Sequence, residues 1–309
     1  MAVRSTSLLT TILLFLLPSS IYSQSYYNNS TPYNDIDFVE LPLNLEYLEA
    51  EFFLWGALGH GLDRVAPYLV SGGPPPIGVK KANLDKFTRD IVLQFAFQEV
   101  GHLRAIRRLV PGFPRPQLDL SVGSFAKVMD AAVGHALTPP FDPYANGLNF
   151  LLASYIISYV GLTGYVGAND KLKYTVSKRV RMLVAGLLSV ESAQDAIIRA
   201  LLYEWAAVTV QPYGITVADF TVRISELRNQ LGNSGRKDEG IVIPPLRGAR
   251  GESSGNVVVG DDNALAFART PKEVLRIIYG DGDERVPGGF YPKGASGRIA
   301  QSYLEASST

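Results

Sequence analysis

Apolar residues recur at steps of three and four along four long stretches of this chain, and proline or glycine breaks the stretches between them. The first pattern opens at Pro42, a residue suited to a first helical turn, and runs through Leu45, Leu48, Phe52, Phe53 and Trp55 toward Leu62. The second covers 83–110, with Asn83 as its expected N-cap and Pro111 as its stop. Its Phe87, Ile91, Phe95, Glu99, His102 and Ile106 fall on one face. The third, 143–169, is entered through Phe141-Asp142-Pro143 and carries no charged residue. The fourth covers 173–203, with Lys178, Arg179 and Arg181 outside and Leu183, Leu187, Val190 and Ile197 expected inside.

The uncharged third stretch is long enough to cross a bilayer. Asn149, Ser154, Ser158, Thr163, several tyrosines and glycines 161, 164 and 167 interrupt it, and no basic cluster flanks one side. A helix that is apolar all round is equally the central helix of a bundle, and that is the expectation here.

Gly72-Gly73-Pro74-Pro75-Pro76 separates the first two patterns, and Pro111 to Pro116 with Pro139-Pro140 separates the second and third. The longer connection holds a short helix at 125–133. Past Trp205 come a shorter helix at 216–231, a Gly/Ser/Arg-rich stretch at 233–256 expected to be mobile, and Thr270-Pro271-Lys272-Glu273, a capping box that opens a helix ending before Gly280. Gly288-Gly289-Phe290-Tyr291-Pro292 reads as irregular chain. Four long helices with one long crossover give an all-α fold class: a ferritin-like four-helix bundle over 35–207, with a C-terminal extension of short helices and loops over 208–309.

The N-terminus reads as a processing signal. Arg4, the apolar run 8–17, Pro18 and small residues near Ser23 make residues 1–23 a secretory signal peptide, followed by an exposed tail at 24–34. An uncleaved anchor is the other reading. Asn28 and Asn29 head two overlapping glycosylation sequons in that tail. The expected location is extracellular, in the cell wall. The chain has no cysteine, so no disulfide supports it and thiol catalysis is excluded. A net charge of zero without a lysine/arginine block excludes a nucleic-acid footprint.

Chemistry concentrates in Gln98-Glu99-Val100-Gly101-His102, where Glu-x-x-His sets both side chains on one helical face. Glu191-Ser192-Ala193-Gln194 repeats the spacing with glutamine in place of histidine. A dinuclear carboxylate site in this fold takes one carboxylate from each of two helices and Glu-x-x-His from each of the others. Here Glu99 and His102 supply one pair and Glu191 half of the second, with the Gln194 amide oxygen in place of imidazole. Of Glu46 and Glu49, which share a face, Glu46 is expected to point inward. The third helix has no acid, and Ser158 marks where one should stand. Asp195 compensates only if the fourth helix is rotated. The alternative is a metal-free polar pocket, with His102 protonated among carboxylates of which at least one has a raised pKa. His60 and His135 read as surface or capping residues, and Tyr144, Tyr155, Tyr159 and Tyr165 as bundle core.

The stretches 98–106, 141–146, 159–168 and 190–199, with Asn83-Leu84-Asp85, resemble the plant desiccation-related proteins, from about Asp35 to the Gly-rich tail. The resemblance implies a ferritin-like fold, secretion and a link to water-deficit stress. It implies ligands at Glu46, Glu99, His102 and Glu191; Ser158 and Gln194 depart from the pattern. The leading expectation is a protective protein with a degenerate pocket and no turnover, without a resident cofactor. The rivals are an iron- or manganese-dependent oxidase or peroxide scavenger, and metal sequestration without catalysis. Expected partners are wall polymers or other extracellular components, or a second copy in a homodimer; an integral membrane protein is not expected.

Overall fold

The computed structural model describes residues 33–172 and 178–306. The signal peptide, most of the tail with Asn28 and Asn29, and the start of the fourth helical pattern at 173–177 lie outside the described residues. A short helix α1 (Asp35–Glu40) begins at a capping box in which Asn34 and Asp37 satisfy each other's backbone N–H groups. Helix α2 (Leu43–Leu58) follows directly from Pro42 and stops at Gly59, whose left-handed φ of 77° closes the last turn. The chain toward Leu62 is therefore not helix; α3 (Leu62–Val65) and α4 (Pro67–Val70) are separate single turns.

Helix α5 (Lys86–Arg107) is capped by Asp85, which accepts from the Thr88 N–H, and not by Asn83. Asn83 instead donates to the Ala145 carbonyl and ties the linker to the mouth of the third helix. Phe87 lies in the first turn of α5 and is 64% exposed. The crossover carries α6 (Val122–Val133) and leads to α7 (Gly147–Asn169), capped by Asn146. Helix α8 (Lys178–Glu204) buries Val180, Val184, Leu187, Glu191, Gln194, Ile198 and Leu202, a stripe at steps of three and four. Ile197 falls off that stripe and is 41% exposed; its neighbour Ile198 takes the inner place.

Helices α2 and α5 pack as one pair and α7 and α8 as another, with α2 against α7 and α5 against α8 closing the bundle. This is the ferritin-like four-helix bundle that the crossover implied. Among the described residues α7 is the one helix long and apolar enough to cross a membrane, but 83% of that window is buried inside the protein. Phe52 of α2 and Phe150 of α7 stack with ring centroids 4.4 Å apart at 3°, and Phe125 of α6 closes against Phe52 at 5.1 Å.

The extension folds back on the bundle. A two-residue hairpin, β1 (Thr209–Val210) and β2 (Ile215–Thr216), leads into α9 (Val217–Gly232), which packs on α6. Then come α10 (Pro271–Tyr279), opened by the capping box of Thr270 and Glu273, and α11 (Arg298–Glu305). The stretch 233–256 is not a free loop. Asp238, Glu239, Ile241, Ile243 and Asn256 are buried, and the exposed parts are its first residues, 233–236, and most of 244–254. Its burial follows from Arg199 of α8, whose guanidinium donates to the carbonyls of Glu239 (3.1 Å), Gly240 (3.2 Å), Asn256 (2.7 Å) and Val257 (2.9 Å).

Candidate metal centre

Three of the four bundle helices, α2, α5 and α8, bring Glu46, Glu99, His102 and Glu191 together in the core. One ligating atom from each lies within 4.8 Å of the others. The His102 imidazole is central: Nδ1 stands 3.0 Å from Glu46 Oε2, 3.1 Å from Glu99 Oε2 and 3.4 Å from Glu191 Oε1. The three-residue spacing in α5 sets Glu99 and His102 on one face, and α8 supplies Glu191 by the same geometry. The carboxylates are fully enclosed, and His102, at 8% exposure, is the member nearest solvent.

Glu49 joins this group. It is buried one turn along α2 from Glu46, and its Oε1 has no hydrogen-bond partner. On the α7 side Gly161 faces the carboxylates. A Cβ at Gly161 would lie 3.3 Å from Glu191 Oε2 and 3.8 Å from both Glu49 oxygens. Ser158 is buried with an unpartnered hydroxyl. Gln194 donates its amide N–H to Glu99 Oε1 at 2.7 Å and to Gln98 Oε1 at 2.9 Å, so it orients a carboxylate, while its own Oε1 is buried without a hydrogen-bond partner.

Asp195 turns away into a second buried charged cluster. Its carboxyl faces Arg199 and Arg228, whose attraction partly offsets burial and leaves its pKa at about 6. Arg228 lies 2.6 Å from Asp238 and stacks over Tyr155 and Tyr159 at 4.7 and 5.4 Å; Arg269 also lies over Tyr159, at 5.5 Å. This cluster was not visible in the sequence, because Asp238 and Arg269 come from stretches without periodicity. Tyr165 is buried core as expected, and its hydroxyl also donates to Glu46 Oε1 inside the pocket. Tyr155 bonds Ser225 and Tyr144 bonds the Leu120 carbonyl, as core tyrosines do. His60 sits half-buried in the turn after α2 and His135 is exposed past α6, both far in role from the centre.

The electrostatics follow from enclosing like charges. Burial, then repulsion from Glu191, Glu99 and Glu46, pushes Glu49 well above the usual carboxylate range. Burial lifts Glu99 to about 7 against the pull of His102, and burial with repulsion from Glu99 lifts Glu191 to about 7. Burial opposes charge on His102, but the Glu46 and Glu99 carboxylates outweigh it and hold the imidazole protonated far above its ordinary range.

The donors suit a divalent cation. Carboxylate oxygens and one imidazole match manganese, ferrous iron or another hard-to-borderline ion. Buried acceptor atoms of Glu49 (Oε1) and Glu191 (both oxygens) lack hydrogen-bond donors, a costly arrangement that a cation relieves. Tyr165 on Glu46 and Gln194 on Glu99 supply the outer hydrogen bonds that hold ligating carboxylates in place.

The family model for the ferritin-like domain matches residues 34–204. The chain is 54% identical over 290 residues, 94% of its length and 92% of the relative's, to ferritin-like catalase Nec2 of Nesocodon mauritianus. It is 55% identical over 294 residues, 95% of its length and 93% of the relative's, to desiccation-related protein PCC13-62 of Craterostigma plantagineum. No solved structure gives a significant match. With a domain model spanning the whole bundle and two near-full-length relatives above half identity, the chain belongs to the ferritin-like, desiccation-related proteins.

Proposed function

We propose that this protein is an exported, metal-dependent peroxide scavenger that disproportionates two hydrogen peroxide molecules to dioxygen and two waters. The observation that carries this reading is the enclosed ligand set of Glu46, Glu99, His102 and Glu191, with atoms mutually within 4.8 Å. The relative named as a catalase supports the choice of peroxide. The N-terminal pattern supports export.

A bound redox-active manganese or iron centre would relay the two electrons that pass from the peroxide oxidised to dioxygen to the peroxide reduced to water. The chain's own part is to hold that centre and restrict what reaches it. Glu46, Glu99 and Glu191 would provide anionic oxygens and His102 its Nδ1, while Tyr165 and Gln194 fix the orientation of Glu46 and Glu99. Burial of the carboxylates keeps bulk water away and admits a small neutral molecule more readily than an anion. Because Glu99 and Glu191 are held near 7 in the metal-free pocket, loading the centre is coupled to proton release.

A second reading, a stress-associated protective protein without turnover, is favoured by one feature: Gln194 stands where a second imidazole would, and its amide N–H donates to Glu99. The relative named as desiccation-related fits it. The deciding experiment loads the purified protein with manganese(II) or, anaerobically, with ferrous iron, and follows peroxide and dioxygen together. Release of one dioxygen per two peroxides, abolished in His102→Ala, supports the scavenger. Uptake of dioxygen instead supports an oxidase. Bound metal with neither change supports sequestration, and no bound metal leaves the protective bundle.

A further inference from the structure

A dinuclear centre in this fold ordinarily draws a carboxylate from each of the four helices. Helix α7 has none to give: 147–169 contains no aspartate or glutamate. With Glu46, Glu99 and Glu191 alone, two divalent cations carry four positive charges against three negative ones inside a low-dielectric core, where an unbalanced charge is costly. One more anion is needed, and it has to come from somewhere other than α7.

Glu49 meets that need. It lies in α2 one turn beyond Glu46, at 1% exposure, with Oε1 unpartnered. The α7 residue opposite is Gly161, and the place where its side chain would begin is 3.8 Å from both Glu49 oxygens and 3.3 Å from Glu191 Oε2. The volume that a side chain from α7 would enter is therefore occupied by a carboxylate from α2, and the glycine leaves it free.

We propose that Glu49 is the fourth carboxylate of a two-metal site, reaching across Gly161 into the place that an α7 carboxylate would otherwise fill. The proposal rests on the metal-centre reading above and adds a ligand, a stoichiometry and a reason for the glycine. Glu46 and Glu49 then form a pair on one helix, and the four carboxylates balance two divalent ions.

The test is equilibrium dialysis of the full chain against manganese(II), with the bound metal counted by elemental analysis. It compares the wild type, Glu49→Gln, the exchange variant Glu49→Ala/Gly161→Glu, and a Glu99→Ala/His102→Ala control. Two ions in the wild type, one in Glu49→Gln and two again in the exchange variant is the expected pattern. Two ions at unchanged affinity in Glu49→Gln would overturn the assignment while leaving the metal centre standing. One ion in the wild type would overturn the two-metal site. An exchange variant that stays at one ion would overturn the claim that Glu49 fills the α7 place. Wild-type binding no greater than the control would sink the metal-centre reading itself. Glu49→Gln replaces a carboxyl whose anionic form burial and its neighbours disfavour with a neutral group of the same shape, so its metal-free melting temperature should equal or exceed the wild type's, which separates a lost ligand from a lost fold.

Discussion

Gln194 donates to Glu99 at 2.7 Å across the bundle, from the position in α8 where the repeated spacing would put a histidine. It connects the two halves of the pocket, since Glu99 and His102 come from α5 and Glu191 from α8. A hydrogen bond to a ligating carboxylate fixes its direction and is worth about 10- to 100-fold in metal affinity.

Gln194→Leu, close in volume but without the amide, should therefore weaken manganese(II) binding by about 10- to 100-fold with helicity unchanged. Titration calorimetry reads this directly. An unchanged dissociation constant would show that Gln194 only fills space. Gln194→His is expected to act in the opposite sense, tightening binding by completing the second Glu-x-x-His.

The stability of the metal-free protein should fall as pH rises from about 4.5 to 7. Glu99 and Glu191 are raised from 4.5 to about 7 in the folded state. Below 4.5 both states bind the proton and the contribution is fully present; above it the unfolded chain ionises first, and stability is lost until the folded pKa is passed. The slope is at most about 1.4 kcal/mol per pH unit for each group. Thermal melts between pH 4.5 and 8 should show the decline, and saturating manganese should flatten it. Calorimetry in two buffers of different ionisation enthalpy should show proton release on loading. A metal-free melting temperature that climbs steadily to pH 7 would contradict the raised carboxylates.

The spacing of Glu99, His102 and Glu191 is legible because a helix repeats it locally, and α8 brings the two halves together without any need to know the loops. Gly161 was not legible. A glycine carries no chemical signal, whereas the polar Ser158, three residues and nearly one turn away, does. Glu49 shared its face with Glu46, but periodicity cannot say that both are inward when α2 is buried on every side. Asp195 illustrates the same limit. Its neighbours are Arg228 and, across the extension, Asp238, and only the folded path of the extension brings them to α8. Helix types and the crossover were readable from period and punctuation. Helix ends were readable where one residue caps unambiguously, as at Thr270, and not where Asn83 and Asp85 compete.

Gly56→Ala should destabilise the bundle although alanine is the better helix former. A Cβ there would collide with the Phe150 ring, which is stacked on Phe52 at 4.4 Å. Relief requires moving an aromatic ring that is itself enclosed, a cost of roughly 1–3 kcal/mol for overpacking, against the ~1 kcal/mol that alanine gains in helix propensity. Urea unfolding should give a lower midpoint with an unchanged slope. A raised midpoint would mean that Phe150 can repack freely.

Arg199 links the bundle to the extension, and its replacement should loosen one more than the other. Its guanidinium serves the carbonyls of Glu239, Gly240, Asn256 and Val257 and also donates to the Tyr155 hydroxyl at 3.0 Å. Arg199→Met keeps the apolar stem but leaves those buried acceptors without donors, each an expense of about 1–3 kcal/mol if no water enters. Arg199→Lys should be nearly as damaging, since an ammonium has three donors on one point and cannot span two strands of chain as a planar fork does. Both variants should lose on the order of 3–5 kcal/mol of stability, the usual cost of breaking a buried charged network. Limited proteolysis should then cut within 233–256 while the helical circular dichroism of the bundle persists. Protection of that stretch equal to the wild type's would show that α9 and α10, not Arg199, hold it down.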